Sequence, residues 1–268
     1  MTTSPHPPAD LYVTKPKVYL LARQTVVSEE LDRFLTEEGL TFSTDAQAAA
    51  EVLAEIAGRT CYMSFGKGRK SNAEYLDNIL TSKHGSVLEH AVWSLLITGV
   101  SRSLTHELIR HRAGFGYSQL SQRYVDESEA HYVVPPLYQE SVELRAQWQQ
   151  TIECIRKAYA ELAEATARYV EQKHPEMAPR DRRKWARQTA RSILPNACET
   201  KIFVTGNSRA WRHFLEMRGN GHADTEIRLL AVEVFRVLKK ESPNIFHDIE
   251  LVNEPDGLPA LRVVHSKV

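Results

Sequence analysis

Between Ser141 and Lys173 the residues Trp148, Ile152, Ile155, Tyr159, Leu162, Thr166 and Tyr169 recur at steps of three and four, the signature of one helical face. His174 and Pro175 end the run. A chain committed to so long a helix, with only short strand-like runs elsewhere and no regular βαβ alternation, is expected to fold as α+β. The expected architecture is a single domain, helix-rich around a mixed β-sheet.

The remaining elements follow from the same kind of pattern. Val18 to Leu21 is an apolar run suited to a first strand. Helices are expected over Ser28 to Glu38 and over Asp45 to Gly58, the latter closed by its glycine. Ser64 to Ser71 reads as a solvated, flexible Gly- and Lys-rich turn, Asn72 to Leu80 as a helix and His84 to Glu89 as a polar connection. Val92 to Val100 has the composition of a strand buried on both faces. A helix from Arg102 to Arg112 should give way to an irregular segment through Tyr124. After the long helix come a second one from Pro179 to Leu194, a strand over Thr200 to Thr205, and helices over Ser208 to Met217 and Thr225 to Glu241. Residues 1–16, rich in Pro, Thr and Ser at the start, read as a flexible lead-in to a domain spanning 17–268.

Composition narrows the function. The 268 residues carry 34 basic and 34 acidic side chains, so a surface that coats nucleic acid is not expected. Three cysteines, Cys61, Cys154 and Cys198, form neither a disulfide framework nor a zinc-ligand pattern and fit a reducing compartment. The most apolar stretch, Ala91 to Val100, is far shorter than the roughly 20 residues of a membrane helix. With no signal pattern at the N-terminus, a cytoplasmic protein is expected.

The chemistry concentrates between Glu107 and Tyr124. Arg110, His111 and Arg112 place three potential cations in a row, and on a continuing helix the two arginines would point about 200° apart. For both to serve one site the helix must end nearby, with Gly114 and Gly116 as the break. Beyond the glycines, Gln119, Ser121 and Arg123 fall at steps of two, so an extended chain would turn all three to one face. That row suits an anion with polar edges, such as a nucleotide; the alternative is an Arg-rich helix end held by surface carboxylates. Arg218 to His222 and Asn207 to Arg209 each open a helix whose N-terminus favours an anion.

Other candidates are weaker. His106 and His111 are five apart, one residue too many for the zinc-protease helix motif, so no metal is expected. Cys198 reads as a structural thiol, since no base stands beside it in sequence. The basic run Arg180 to Arg191 would be spread around a helix and reads as a solvated face, with Arg191 set apart near Leu194 and Pro195.

In order, these segments resemble the flavin-dependent thymidylate synthases, which methylate dUMP using FAD, NADPH and methylenetetrahydrofolate. That family is marked by Arg-His-Arg, seven residues and Ser; here eight residues separate Arg112 from Ser121. The extra residue is expected within Ala113 to Gly116. His84, Ser86, Glu89 and His90 resemble the family's upstream element, with Ser86 in place of Thr. Arg191 through Pro195, Asn207 through Arg209 and Arg218 through His222 resemble its later ones.

The resemblance implies contacts to dUMP from Glu107, Leu108, Ile109, Arg110, Gln119, Leu120, Ser121, Gln122, Arg123, Arg191 and Arg218. It implies contacts to FAD from Ser86, Glu89, Arg110, His111, Arg112, Gln119, Asn207, Ser208, Arg209, His213 and His222. It also implies a homotetramer with sites shared between subunits, small-molecule substrates, and neither nucleic acid nor membrane as partner. Arg218 is the candidate for stabilising negative charge that develops on the uracil ring, and Cys198 is expected to be a bystander.

Overall fold

The computed structural model describes residues 11–69 and 71–268. The Pro-rich beginning of the lead-in and Lys70 lie outside the described residues. In chain order the elements are β1 (Tyr12–Val13), β2 (Lys17–Arg23), α1 (Ser28–Glu37), α2 (Ala49–Tyr62), α3 (Asn72–Thr81), β3 (Val92–Ser101), α4 (Arg102–Leu108) and β4 (Phe115–Gln119). Then come β5 (Tyr132–Val133), α5 (Pro136–Glu140), α6 (Val142–Lys173), α7 (Pro179–Ala190), β6 (Glu199–Asn207), α8 (Ser208–Arg218), α9 (Thr225–Glu241), β7 (Ile249–Asn253) and β8 (Pro259–Val263). Two 3-10 turns, Gly85–His90 and Arg191–Ile193, precede β3 and β6. The class is α+β, helix-rich with mixed sheets, as the long helix and the lack of βαβ alternation implied.

The chain forms two compact units. The first comprises Thr98–Glu107, Gln119–Ile202 and the described part of Met1–Pro16. Here β1 pairs in parallel with β5, Tyr12 opposite Tyr132 and Val13 opposite Val133. Leu11, Tyr132, Ile152 and Cys198 form its buried cluster, with Trp148 and Leu194 against it. Ser141 caps α6 by accepting from the Leu144 N–H at 3.3 Å. Pro179 opens α7, where its missing N–H costs nothing. Arg182 closes the connection between these helices, donating to the carbonyls of Met177 and Pro175 and to the Glu171 carboxylate. The buried stripe of α6 differs from the one expected. Ile152 and Tyr159 are buried, but the stripe continues to Val170, while Leu162 and Tyr169 are exposed. Alternating steps of three and four from Tyr159 drift off a face that turns at about 3.6 residues.

The second unit comprises Lys17–Ile97, Leu108–Ser118 and Phe203–Val268. It holds most of the four-stranded sheet, order β2-β3-β6-β4. Along β3 burial alternates: Trp93, Leu95 and Ile97 are buried and their neighbours half-buried, so one face is fully covered rather than both. Helix α9 begins at an Asp224 cap and buries Ile227, Leu230, Ala231, Val234 and Leu238. The antiparallel pair β7–β8, with Leu251 opposite Leu261, has no counterpart in the sequence reading.

Two further expectations change. Gly58 does not end α2, which runs on to Tyr62 and stops at Met63 in the left-handed region (φ 45°). Gly58 instead lets Tyr75 approach, since a Cβ there would lie 2.4 Å from the Tyr75 hydroxyl oxygen. The Ser64–Ser71 segment is a turn, but it is tied down. Buried Arg59, paired with Glu55, donates to the carbonyls of Ser64, Lys67 and Arg69 at 2.9, 2.8 and 3.2 Å. The His84–Glu89 connection is a 3-10 turn that buries Val87 and Leu88.

Candidate active site

Helix α4 ends at Leu108, four residues before the expected Arg112, so Arg110, His111 and Arg112 lie beyond it. The cause is Tyr117 on β4. Its hydroxyl lies 2.6 Å from the His111 carbonyl and 3.1 Å from that of Leu108, satisfying backbone acceptors that another helical turn would otherwise use. The His111 N–H turns back to the Leu108 carbonyl at 3.1 Å. The glycine break comes later: Gly114 has φ 75° in the turn that leads into β4, while Gly116 is a strand residue.

Arg110, His111, Arg112, His213 and Arg218 line a recess of about 570 Å³ in the second unit. Arg218, in the last turn of α8, donates from Nε to His111 Nε2 at 3.1 Å. The His111 ring sits edge-on to His213 and Phe214, with centroids 5.6 and 5.4 Å away. Burial above all, then the positive charge of Arg218 and the neighbouring His213, pull the His111 pKa down to about 4. The ring is therefore neutral at pH 7, and because Nε2 accepts from Arg218, its proton resides on Nδ1. A neutral acceptor holding one edge of a guanidinium sets the direction of the other edge.

The N-terminus of α8 adjoins the same turn. Asn207 caps the helix by accepting from the Ala210 N–H at 2.8 Å, and its own N–H donates to the Gly114 carbonyl at 3.1 Å. Ser208 is fully buried, its hydroxyl donating to the Leu88 carbonyl at 2.5 Å and its N–H to the Ala91 carbonyl at 2.7 Å, so it anchors the turn before β3 and, contrary to expectation, offers nothing to a ligand. Arg209 pairs with Glu89 at 2.6 Å. A smaller recess of about 290 Å³ is lined by Ser86, His84, Tyr62, Lys83 and Arg209. Thus Ser86, Glu89 and Arg209 come together, as do His111, His213 and Arg218. His222 lies in the turn before α9, where its N–H donates to the Asn220 side chain at 2.9 Å.

Of the other expected residues, Glu107, Gln119 to Arg123 and Arg191 belong to the first unit, Leu108 and Ile109 to the second. Gln119 closes β4 and its amide donates to Thr105 and Thr200 at 3.2 and 3.3 Å. The extended row predicted from Gln119 to Arg123 stops early. Gln122 to Tyr124 form a turn, closed by the Tyr124 N–H on the Ser121 carbonyl at 3.1 Å, and Arg123 donates its N–H to Ser121 Oγ at 3.4 Å. Buried Gln122 Nε2 and Arg123 Nε have no protein partner. Arg191 opens the 3-10 turn after α7, one helical turn earlier than the Leu194 end that the sequence suggested. Leu108 is buried and Ile109 exposed.

Cys198 is buried and its thiol is pushed up to about 12, chiefly by desolvation, so it holds its proton. In the basic run, Arg187 donates to the Tyr124 carbonyl and pairs with Asp126, and Lys184 sits over the Tyr124 ring. These charges brace the first unit's own loop. Sequence reasoning overlooked Tyr117, whose two-residue offset from Gln119 was the available signal. It also overlooked Arg102, whose buried NH1 has no hydrogen-bond partner.

A family model described as "Thymidylate synthase complementing protein" matches residues 44–244. A protein of Mycobacterium tuberculosis named "Flavin-dependent thymidylate synthase" is 48% identical over 228 residues, covering 84% of this chain and 89% of that protein. A Mycobacterium bovis protein of the same name matches equally, and one from Mycobacterium sp. strain KMS is 49% identical over the same length. No helix among the described residues is long and apolar enough to cross a membrane.

Proposed function

This chain belongs to the flavin-dependent thymidylate synthase family, and from that premise we propose how its residues divide the work. The reaction is the reductive methylation of dUMP to dTMP, with methylenetetrahydrofolate as one-carbon donor, NADPH as reductant and FAD as redox mediator. The residues present fit such ligands. Two clefts edged by arginine and imidazole, one beside Arg209 in the first turn of α8 and one along its later turns at His213 and Arg218, suit an anionic aromatic cofactor. When bound, FAD supplies the redox chemistry between reductant and pyrimidine.

The observation that carries the assignment of substrate residues is Arg218, held at Nε by neutral His111 in the wall of the larger recess. We assign Gln119 to Arg123, Glu107 to Arg110, Arg191 and Arg218 to dUMP. Arg123 and Arg191 meet the phosphate, whose charge needs fixed cations. Arg218, aimed by neutral His111, stabilises negative charge developing on the uracil edge. Ser86, Glu89, Arg110 to Arg112, Gln119, Asn207, Arg209, His213 and His222 are assigned to FAD, with fully buried Ser208 holding the start of α8 in place. No protein nucleophile is needed, and Cys198 stands aside.

The same reading makes residues 17–268 one catalytic domain of a cytoplasmic homotetramer, each site drawing on more than one subunit. Sedimentation equilibrium tests the tetramer. The reaction is tested by the visible spectrum of the purified protein, followed by anaerobic NADPH reduction with and without dUMP and assay of dTMP. Flavin bands that bleach faster with dUMP are the expected result. Colourless protein that takes up no added FAD would overturn the site assignment.

A further inference from the structure

Away from both recesses, three segments of the second unit bring Asp77 of α3, His247 of the turn after α9, and His265 just beyond β8 together. One ligand atom from each lies within 4.8 Å of the others. His247 Nε2 is 3.0 Å from Asp77 Oδ1, and His265 Nε2 is 3.9 Å from the same oxygen. His247 Nδ1 lies 2.9 Å from the Asn244 carbonyl, which can only accept, so Nδ1 carries a proton. Nε2 is the remaining ligand atom of that ring, and it faces the same Asp77 carboxylate oxygen that His265 Nε2 approaches.

The backbone on either side is held in place by a buried ion pair. Arg212 meets Asp248 through two contacts of 2.7 and 2.9 Å and also donates to the carbonyls of Ile245 and His265. Asp248 Oδ2 accepts the His265 N–H at 3.0 Å. One guanidinium and one carboxylate thus fix the residues flanking both imidazoles, and the Asn244 carbonyl orients one ring, as an outer shell does around a metal.

We propose that Asp77, His247 and His265 bind one divalent cation of the zinc class, with water completing its coordination. Two imidazoles and one carboxylate suit zinc, cobalt, nickel or copper, whereas calcium and magnesium favour all-oxygen sets. Bonds of about 2.0–2.2 Å require only that the three side chains close in by small rotations. The ion ties α3 to the segments after α9 and β8, a structural role, since none of the three side chains lines the recesses. The ligands are far apart in sequence, Asp77 and His247 by 170 positions, so no spacing motif announces them.

Untagged protein, stripped with a chelator and free of FAD and substrates, would be titrated calorimetrically with Zn²⁺ and followed spectroscopically with Co²⁺. One equivalent per chain is expected, with visible cobalt bands of a low-coordinate site and a Zn²⁺-dependent rise in Tm. His247→Ala and His265→Ala should each weaken binding at least about tenfold, and His174→Ala, a histidine of the first unit, should leave it unchanged. Asp77→Asn, on an exposed face of α3, provides a variant that folds if the histidine changes do not. No saturable binding, binding unchanged in the variants, or equal displacement by Ca²⁺ or Mg²⁺ would overturn the proposal and leave Asp77–His247 as a plain ion pair.

Discussion

Arg218 Nε donates to His111 Nε2 across 3.1 Å, joining the last turn of α8 to a residue three positions past the end of α4. Because burial above all, with Arg218 adding to it, holds His111 at a pKa of about 4, against an ordinary 6.5, this residue sets a pH window for stability. Above pH 6.5 neither the folded nor the unfolded state protonates His111, and it adds no slope. Between about 6.5 and about 4 the unfolded chain takes up a proton that the folded one refuses, so stability falls as pH falls. His111→Asn should flatten that part of a urea-midpoint profile. An unchanged slope in the variant would locate the dependence elsewhere.

Arg218→Ala should reduce dTMP turnover by about 10²–10³-fold with flavin still bound, the usual cost of removing a donor aimed at developing charge. Arg218→Lys should restore little, because a point charge on a flexible stem cannot reproduce a guanidinium held at Nε by His111. Turnover within threefold of the parent in either variant would remove Arg218 from that role.

Gly114 couples the Arg-His-Arg turn to α8. A Cβ at this position would stand 2.8 Å from Ala210 Cβ and 2.9 Å from the Asn207 side chain, on a backbone at φ 75°. Gly114→Ala should therefore cost about 1–3 kcal/mol and weaken FAD binding by disturbing the helix cap. Gly116→Ala is the control, since nothing lies within 4 Å of its added methyl. Flavin titration and thermal melts of both variants decide the matter; equal behaviour would refute the coupling.

Cys198 should be dispensable for chemistry. Cys198→Ala is expected to retain most dTMP formation, and Cys198→Ser to do so with about 1–3 kcal/mol lower stability, from burying a hydroxyl beside Leu11 and Ile152. Near-total loss of activity in a folded, flavin-loaded variant would show that the thiol is required.

Where local pattern and tertiary structure agree, the elements were legible. Helix α9 spans the predicted Thr225–Glu241, with an acidic cap and a 3.6-residue apolar stripe that leave little choice. Gly58 misled because its neighbour is Tyr75 on another helix, a contact with no sequence signal. Strand β4 hid behind two glycines, and β7–β8 behind polar residues such as Glu250 and Arg262, paired only in three dimensions. The segments assigned to ligands stand out by residue type, but their geometry does not. Only the structure shows Tyr117 stopping α4, the turn that takes Ser121 and Arg123 off a common face, and the Ser208 hydroxyl committed to Leu88.

Trp211 lies fully buried one turn into α8, edge-on to Phe115 with centroids 4.8 Å apart, and Phe115 is part of the wall of the larger recess. An indole shielded from water emits at the blue end of its range, and a flavin absorbs where it emits. The protein thus carries its own fluorophore beside the place where cofactor should load. Quenching of that emission in a stopped-flow mixer would time the arrival of flavin and nucleotide without any attached dye.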